Sequence, residues 1–327
     1  MLKILLSAQT AASLAVPIEQ ALGELGHQLV VAEEASAGDG IDIAFISREV
    51  TAGSTKHHAL PATRQFYDLL TSAPNLSWVQ IHSAGADRPI FGELRNHGVK
   101  ITTASGANAV PVAHTALAGI LALARNLPQA MADQRRSCWN QRLQSPAPRD
   151  LRGQTVMIVG WGPVAREVAR LLQAVGLKCI AVRRERALPP EFGTRMVSFS
   201  EMPDQLGNID WLVLACPLSE TTRYLVNRNT LARMPRGSWI VNVARGEVAR
   251  QSDLLDALNS GHLAGAYLDV TDPEPLPEDS PLWTMENVIL TPHTAGHADT
   301  NAQAVAAIFL DNLARWRGGA PLLNLVA

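Results

Sequence analysis

Thr155-Val156-Met157-Ile158-Val159-Gly160-Trp161-Gly162-Pro163-Val164-Ala165 runs straight into Arg166-Glu167-Val168-Ala169-Arg170-Leu171-Leu172. The first five residues read as a buried strand and the last seven as a helix. Between them lies G-x-G-x-x-A, the fingerprint of a dinucleotide-binding turn when a strand precedes it and a helix follows. Gly160 permits the tight turn, Gly162 removes the side chain that would block a pyrophosphate, and Ala165 lets helix and strand approach. Trp161, Pro163 and Val164 complete the turn, and the free N–H groups and positive dipole end of the helix face the phosphates. A glycine turn alone often does no more than end a strand, and here the context gives it its meaning.

Outward from this turn, strand and helix signals alternate along most of the chain. Strand runs precede it at Leu2–Ser7, Gln28–Ala32, Ile41–Ser47, Trp78–Ser83 and Val99–Thr103, with helical stretches near Leu14–Leu25, Ala62–Thr71 and Arg88–Asn96. After a helical run at Ala109–Arg125 comes a polar, basic stretch, Gln134–Arg149, read as an interdomain loop or an arm onto a partner subunit. Strands then resume at Thr155–Val159, Lys178–Val182, Trp211–Ala215, Ser238–Val243, Ala264–Val270 and Asn287–Leu290, with helices at Val164–Ala174 and Ser252–Ser260 and a closing helix at Ala302–Trp316. Such alternation predicts α/β architecture with two doubly wound parallel sheets. The length of 327 residues also suggests two domains at about 150 residues each.

Composition narrows the function. Lys plus Arg total 28 and Asp plus Glu 30, a net charge of −2 that lacks the positive excess needed to ride on nucleic acid or an anionic membrane. No run approaches the roughly 18 apolar residues of a membrane span, and polar residues interrupt the N-terminal Leu2–Leu6 run too early for a signal peptide. Cys138, Cys179 and Cys216 form no C-x-x-C pair, which fits a reducing cytoplasm and gives no disulfide framework. His57-His58 and His297 read as surface residues, and no metal site is expected.

The strand after the glycine turn ends Ile180-Ala181-Val182 and continues into Arg183-Arg184. A carboxylate at this position would accept the ribose hydroxyls of NAD, whereas arginine accommodates a 2′-phosphate. The alternative is a solvated basic loop, Arg183–Arg186. Three further segments follow late strands: Asn242-Val243-Ala244-Arg245-Gly246, Asp269-Val270-Thr271-Asp272-Pro273-Glu274, and Thr291-Pro292-His293-Thr294-Ala295-Gly296. The carboxyl ends of parallel strands line the ligand crevice of such sheets, so Arg245, Glu274 and His293 are expected to converge.

With these segments the chain resembles the D-isomer-specific 2-hydroxyacid dehydrogenases over essentially its whole length. The resemblance implies Arg245, Glu274 and His293 as the catalytic Arg, Glu and His. It implies Asp269 as the partner of the nicotinamide amide, and Ser83-Ala84-Gly85 as the loop holding the substrate carboxylate, together with Arg245 and His293. Cys216, Pro217, Thr222, Val243, Ala244 and Gly296 join the cofactor set. A discontinuous flavodoxin-like substrate domain (1–105 plus 294–327), a Rossmann dinucleotide-binding domain (106–293) and a homodimer are also implied. The chemistry suits the residue types: His293 donates a proton to a developing alkoxide, Glu274 favours the imidazolium, and Arg245 grips carboxylate and keto oxygen. Thr271, Thr294 and His114 depart from the family's usual aromatic, aliphatic and Glu. No regulatory domain is expected after the closing helix. The resulting expectation is a cytoplasmic NAD(P)-dependent enzyme that reduces glyoxylate, hydroxypyruvate or a similar 2-keto acid and prefers NADP(H) to NAD(H). The rival is a nicotinamide-sensing binding protein of the same fold without significant turnover.

Overall fold

The computed structural model describes residues 1–54, 58–143, 147–184 and 193–326, so His57, Glu185 and Arg186 lie outside the described residues. The chain divides into two compact units, 1–108 with 298–327, and 109–297.

The first unit contains β1 (Leu2–Leu6), α1 (Ala8–Leu22), β2 (His27–Val31), β3 (Ile43–Ile46), α2 (Arg48–Thr51), α3 (Pro61–Ser72), β4 (Trp78–Ile81), α4 (Pro89–Asn96) and β5 (Lys100–Thr102), with the C-terminal helix Asn301–Arg317. Its sheet is parallel in the order β2-β1-β3-β4-β5. Strands β3 and β4 are buried throughout, as expected of a sheet covered on both faces. Phe309 of the C-terminal helix stacks on Phe45 at 4.6 Å and tilts against Trp78 at 5.8 Å. A satisfied buried network reinforces that seat. The Trp78 indole donates to Thr102 Oγ1 at 2.7 Å, the Thr102 hydroxyl to Gln80 Oε1 at 2.8 Å, and the Asn312 amide to the same Gln80 oxygen at 3.0 Å. Helix α1 begins at Ala8, six residues before its sequence-based start at Leu14. Ser7 caps it by accepting the Thr10 N–H at 3.1 Å, and the helix continues through Pro17.

The second unit contains α5 (Ala109–Ala124), α6 (Leu127–Arg135), β6 (Thr155–Val159), α7 (Pro163–Ala174), β7 (Lys178–Arg183), β8 (Arg195–Ser198), α8 (Met202–Gln205), β9 (Trp211–Leu214), α9 (Arg228–Arg233), β10 (Ser238–Asn242), α10 (Gln251–Asn259), β11 (Leu263–Leu268) and β12 (Val288–Leu290). Its parallel sheet has the order β12-β11-β10-β9-β6-β7-β8. The chain builds outward from β6 to β7 and β8, then returns to the other side with β9. That reversal puts the ligand crevice of the fold at the carboxyl ends of β6 and β9. Helix α6 and strand β8 were not anticipated. Helix α6 starts after Asn126, whose φ of 52° breaks the line of α5, and takes up the start of the stretch read as a polar loop. Strand β8, with its exposed Arg195, is an edge strand without an apolar run. Among the described residues no single helix is long and apolar enough to cross a membrane.

Candidate active site

Each candidate group of the second unit sits just past the carboxyl end of a strand. After β6, Gly160 has φ of 107°, and a Cβ there would lie 2.6 Å from the Ala215 carbonyl oxygen, so this position requires glycine. Gly162, the residue capping α7, has φ of −80°, and a Cβ on it would meet no atom within 4 Å. Neither backbone nor packing demands glycine at 162, whereas close approach of a pyrophosphate does. Ala165 is fully buried, Val164 and Trp161 are half-buried, and Pro163 is exposed. The Trp161 indole nitrogen is shielded without a hydrogen-bond partner.

Arg183 ends β7 half-buried, and its Nε and Nη1 are shielded without partners, while Arg184 is exposed. Guanidinium donors removed from water and left without acceptors are costly. A phosphate on the adenosine ribose is an acceptor that would satisfy them, so the residues present fit a nicotinamide dinucleotide carrying one. After β9, the Cys216 thiol is pushed up to about 12 by burial and is therefore unreactive. Pro217 follows it in the chain. Thr222 is 3% exposed, and its hydroxyl donates to the Pro217 carbonyl at 2.7 Å, closing a turn rather than presenting a donor to a ligand.

The segment after β10 is shaped by Asn242, which accepts the Ala244 N–H at 3.0 Å and donates to the Arg245 carbonyl at 3.0 Å. Half-buried Val243 and buried Ala244 lead to Arg245, whose Nη1 donates to the Ala244 carbonyl at 2.7 Å. Gly246 packs directly on the Thr271 carbonyl, leaving no space for a Cβ, so the Arg245 segment and the segment after β11 fit as one surface.

Glu274 and His293 meet: His293 Nδ1 lies 2.9 Å from Glu274 Oε2, while Glu274 Oε1 accepts the Thr271 N–H at 3.2 Å. Burial pushes the Glu274 carboxyl up. The His293 hydrogen bond and charge, the Thr271 amide and the Arg245 charge outweigh it and hold the group below its ordinary value. Glu274 is thus a carboxylate at neutral pH, with Arg245 close enough to act on it. The structure brings the three residues together.

His293 has φ of 54°, a left-handed conformation that costs a non-glycine residue about 1–3 kcal/mol unless its surroundings enforce it. Asp269, 4% exposed at the end of β11, supplies that enforcement. Its carbonyl accepts the His293 N–H at 2.8 Å, and its Oδ1 accepts the Thr294 and Ala295 N–H groups at 2.9 Å each. The same Oδ1 accepts the Thr291 hydroxyl at 2.6 Å. Gly296 follows, half-buried. Among the described residues no cluster of His, Cys, Asp or Glu could hold a metal ion.

Ser83, Ala84 and Gly85 lie in the first unit, past the end of β4, where Ser83 Oγ donates to the Gly85 carbonyl at 2.7 Å. Sequence reasoning gave no role to Asn242, Gly246 or Thr291, which lie inside the segments it singles out, and Gln251, whose Oε1 accepts the Asp272 N–H at 3.1 Å, carries no sequence signal.

A family model described as "D-isomer specific 2-hydroxyacid dehydrogenase, NAD binding domain" matches residues 117–295. The chain belongs to the D-isomer specific 2-hydroxyacid dehydrogenases. Members of this family are NAD(P)-dependent enzymes, and the two parallel-sheet units are the family's fold. Among its curated relatives, a (S)-sulfolactate dehydrogenase from Chromohalobacter salexigens is 33% identical over 78% of this chain and 82% of its own length. A family member from Xanthobacter autotrophicus, solved with NADPH and MES, matches with a TM-score of 0.76 at 27% identity, covering 100% of this chain and 98% of that one. An NADPH-dependent glyoxylate/hydroxypyruvate reductase from Sinorhizobium meliloti, solved with NADP and sulfate, matches at 0.77 and 25% identity with the same coverage, 100% and 98%.

Proposed function

We propose that this dehydrogenase reduces small 2-keto acids, such as glyoxylate or hydroxypyruvate, to D-2-hydroxy acids and prefers NADPH to NADH. The observation behind the reaction is the His293–Glu274 pair at 2.9 Å, with the Arg245 charge acting on Glu274. The bound nicotinamide would supply the hydride. His293 turns Nδ1 to Glu274, which leaves Nε2 to donate a proton to the developing alkoxide and to remove it in reverse. Glu274 stabilises the imidazolium, and Arg245 holds the substrate carboxylate and keto oxygen. Ser83, Ala84 and Gly85 offer backbone N–H groups to that carboxylate.

The cofactor set is Gly160, Trp161, Gly162, Pro163, Val164, Cys216, Pro217, Val243, Ala244, Arg245, Asp269, His293 and Gly296, with Arg183 and Arg184 for the 2′-phosphate and Thr222 closing the turn after Pro217. The shielded, unpartnered donors of Arg183 support the NADPH preference, as do the relatives solved with NADPH or NADP. The unit of residues 1–108 with 298–327 is the substrate domain and the unit of residues 109–297 the cofactor domain. Exposed Met131, Trp139 and Leu143, in and after α6, support a homodimer, which light scattering on a sizing column would test. Three free cysteines are compatible with the cytoplasm.

Steady-state assays of glyoxylate, hydroxypyruvate, pyruvate and phenylpyruvate, each with NADPH and NADH, test the reading. Turnover with a higher kcat/KM for NADPH is expected. Tight nicotinamide binding without turnover of any keto acid would overturn it in favour of a sensor.

A further inference from the structure

We propose that Thr291 and Tyr267 are positioning residues for His293, acting through the Asp269 carboxylate from a seat built into helix α5. The directions of the hydrogen bonds follow from proton counting. An ionised carboxylate accepts only, so the single hydroxyl proton of Thr291 goes to Asp269 Oδ1 at 2.6 Å. The 2.7 Å contact between the Thr291 and Tyr267 hydroxyls therefore has Tyr267 as donor. The Tyr267 phenol keeps its proton, because burial and the Asp269 charge push it up to about 12 against the opposing effect of Thr291. A one-way relay results: Tyr267 to Thr291 to Asp269, whose oxygens hold three consecutive amides at 293–295.

The far end of the relay is fixed by packing. Tyr267 is 1% exposed on β11, and its ring lies against Gly119 of α5, where a Cβ would come within 2.5 Å of the ring's Cγ. Gly119 therefore provides the space that admits the ring. The Thr115 hydroxyl of the same helix lies 3.3 Å from the Ala295 carbonyl, but its single proton goes to the closer Pro111 carbonyl of its own helix at 2.9 Å. Helix α5 thus holds the His293 turn through Tyr267, Thr291 and Asp269 in series. Without the Thr291 hydroxyl, Asp269 Oδ1 loses one of three donors and its orientation rests on the turn it is meant to hold. The catalytic consequence rests on the reading of His293 as proton donor, but the mechanical one does not.

Two shape-preserving substitutions test the relay, Thr291→Val and Tyr267→Phe, with Thr291→Ser as rescue. Hydrogen exchange on the protein without cofactor reads the turn directly. Thr291→Val should speed exchange at His293, Thr294 and Ala295 about tenfold, the scale of one lost hydrogen bond, with protection elsewhere in β11 retained. Its kcat should fall about tenfold, with KM for NADPH and keto acid within about twofold of wild type. Thr291→Ser should restore both, and Tyr267→Phe should move both the same way by a smaller factor. Combining Tyr267→Phe with Thr291→Val should cost no more than Thr291→Val alone, because Tyr267 acts through Thr291. Wild-type exchange rates at 293–295, no rescue by serine, or losses that multiply would each overturn the relay. If Thr291→Val unfolds, Tyr267→Phe, which removes one oxygen atom, decides on the same exchange readout. Absence of keto-acid turnover by the wild type would sink the proposed function and leave the exchange result to judge the relay.

Discussion

The strand ends of the two units present their groups in opposite ways. Past β4 in the first unit, Ser83, Ala84 and Gly85 offer backbone and little side chain. The titratable groups nearby are already engaged, with the Ser7 hydroxyl donating to Glu49 at 2.6 Å and His82 Nε2 2.8 Å from the Thr51 hydroxyl. Past β10, β11 and β12 in the second unit, backbone groups and Asn242 and Asp269 are spent as clamps, while Arg245, Glu274 and His293 project from the turns they hold. His293 keeps 48% of its side chain exposed although the turn it opens is tied at the three successive amides of His293, Thr294 and Ala295. On the proposed function, this contrast matches two tasks. Backbone presentation suits a constant group such as a carboxylate, and clamped side chains suit a proton that must move.

The sharpest way to break the comparison is to remove the moving proton. His293→Ala should lower kcat by about 10²–10⁴-fold with cofactor binding little changed, measured by steady-state kinetics and NADPH titration. Near-normal turnover would remove His293 from the mechanism. Next comes Arg183→Asp. One charge-assisted contact is worth about 1.5–3 kcal/mol, or roughly 10–100-fold in the kcat/KM ratio of NADPH to NADH. That ratio should erode or invert while kcat stays close to wild type, and a wild-type ratio near one would put the 2′-phosphate elsewhere. In the first unit, Gly85→Val should raise the keto-acid KM severalfold and leave the NADPH KM unchanged. A shift confined to the cofactor KM would show that this loop does not face the substrate.

The smallest effect concerns the engaged groups of the first unit. Burial, then the charges of Arg88 and Arg48 against Glu49, lower His82 from 6.5 to about 4. The unfolded chain therefore binds this proton more readily than the folded one between those values. The stabilisation is complete above 6.5 and is lost as pH falls toward 4. Thermal melting should drop by a few degrees between pH 7 and pH 5, and His82→Gln should flatten that slope. An unchanged slope in the variant would assign the acid sensitivity to other groups.

Legibility differed by the kind of force involved. Strand β6 and helix α7 were readable almost to the residue because apolar runs and a glycine turn mark them locally. Arg245, Glu274 and His293 could be singled out because each follows a strand of the second sheet in a distinctive segment, while the roles proposed for them came from the family resemblance. Strand β8 escaped because an edge strand led by Arg195 buries too little to show a pattern. Helix α6 escaped because Asn126 and Pro128 look like a loop until the left-handed Asn126 is seen to restart the helix. Thr291 was visible as a letter but not as a clamp, since its partners Asp269 and Tyr267 lie 22 and 24 residues away.

Gly119 and Tyr267 touch within the second unit, so neither can change size alone. A lineage that replaced Gly119 with alanine would have to shrink position 267 first, and one that kept tyrosine at 267 could not drift at 119. The two positions should therefore change as a pair across related sequences. A designer who grafts this α5 onto another member of the fold must carry residue 267 with it.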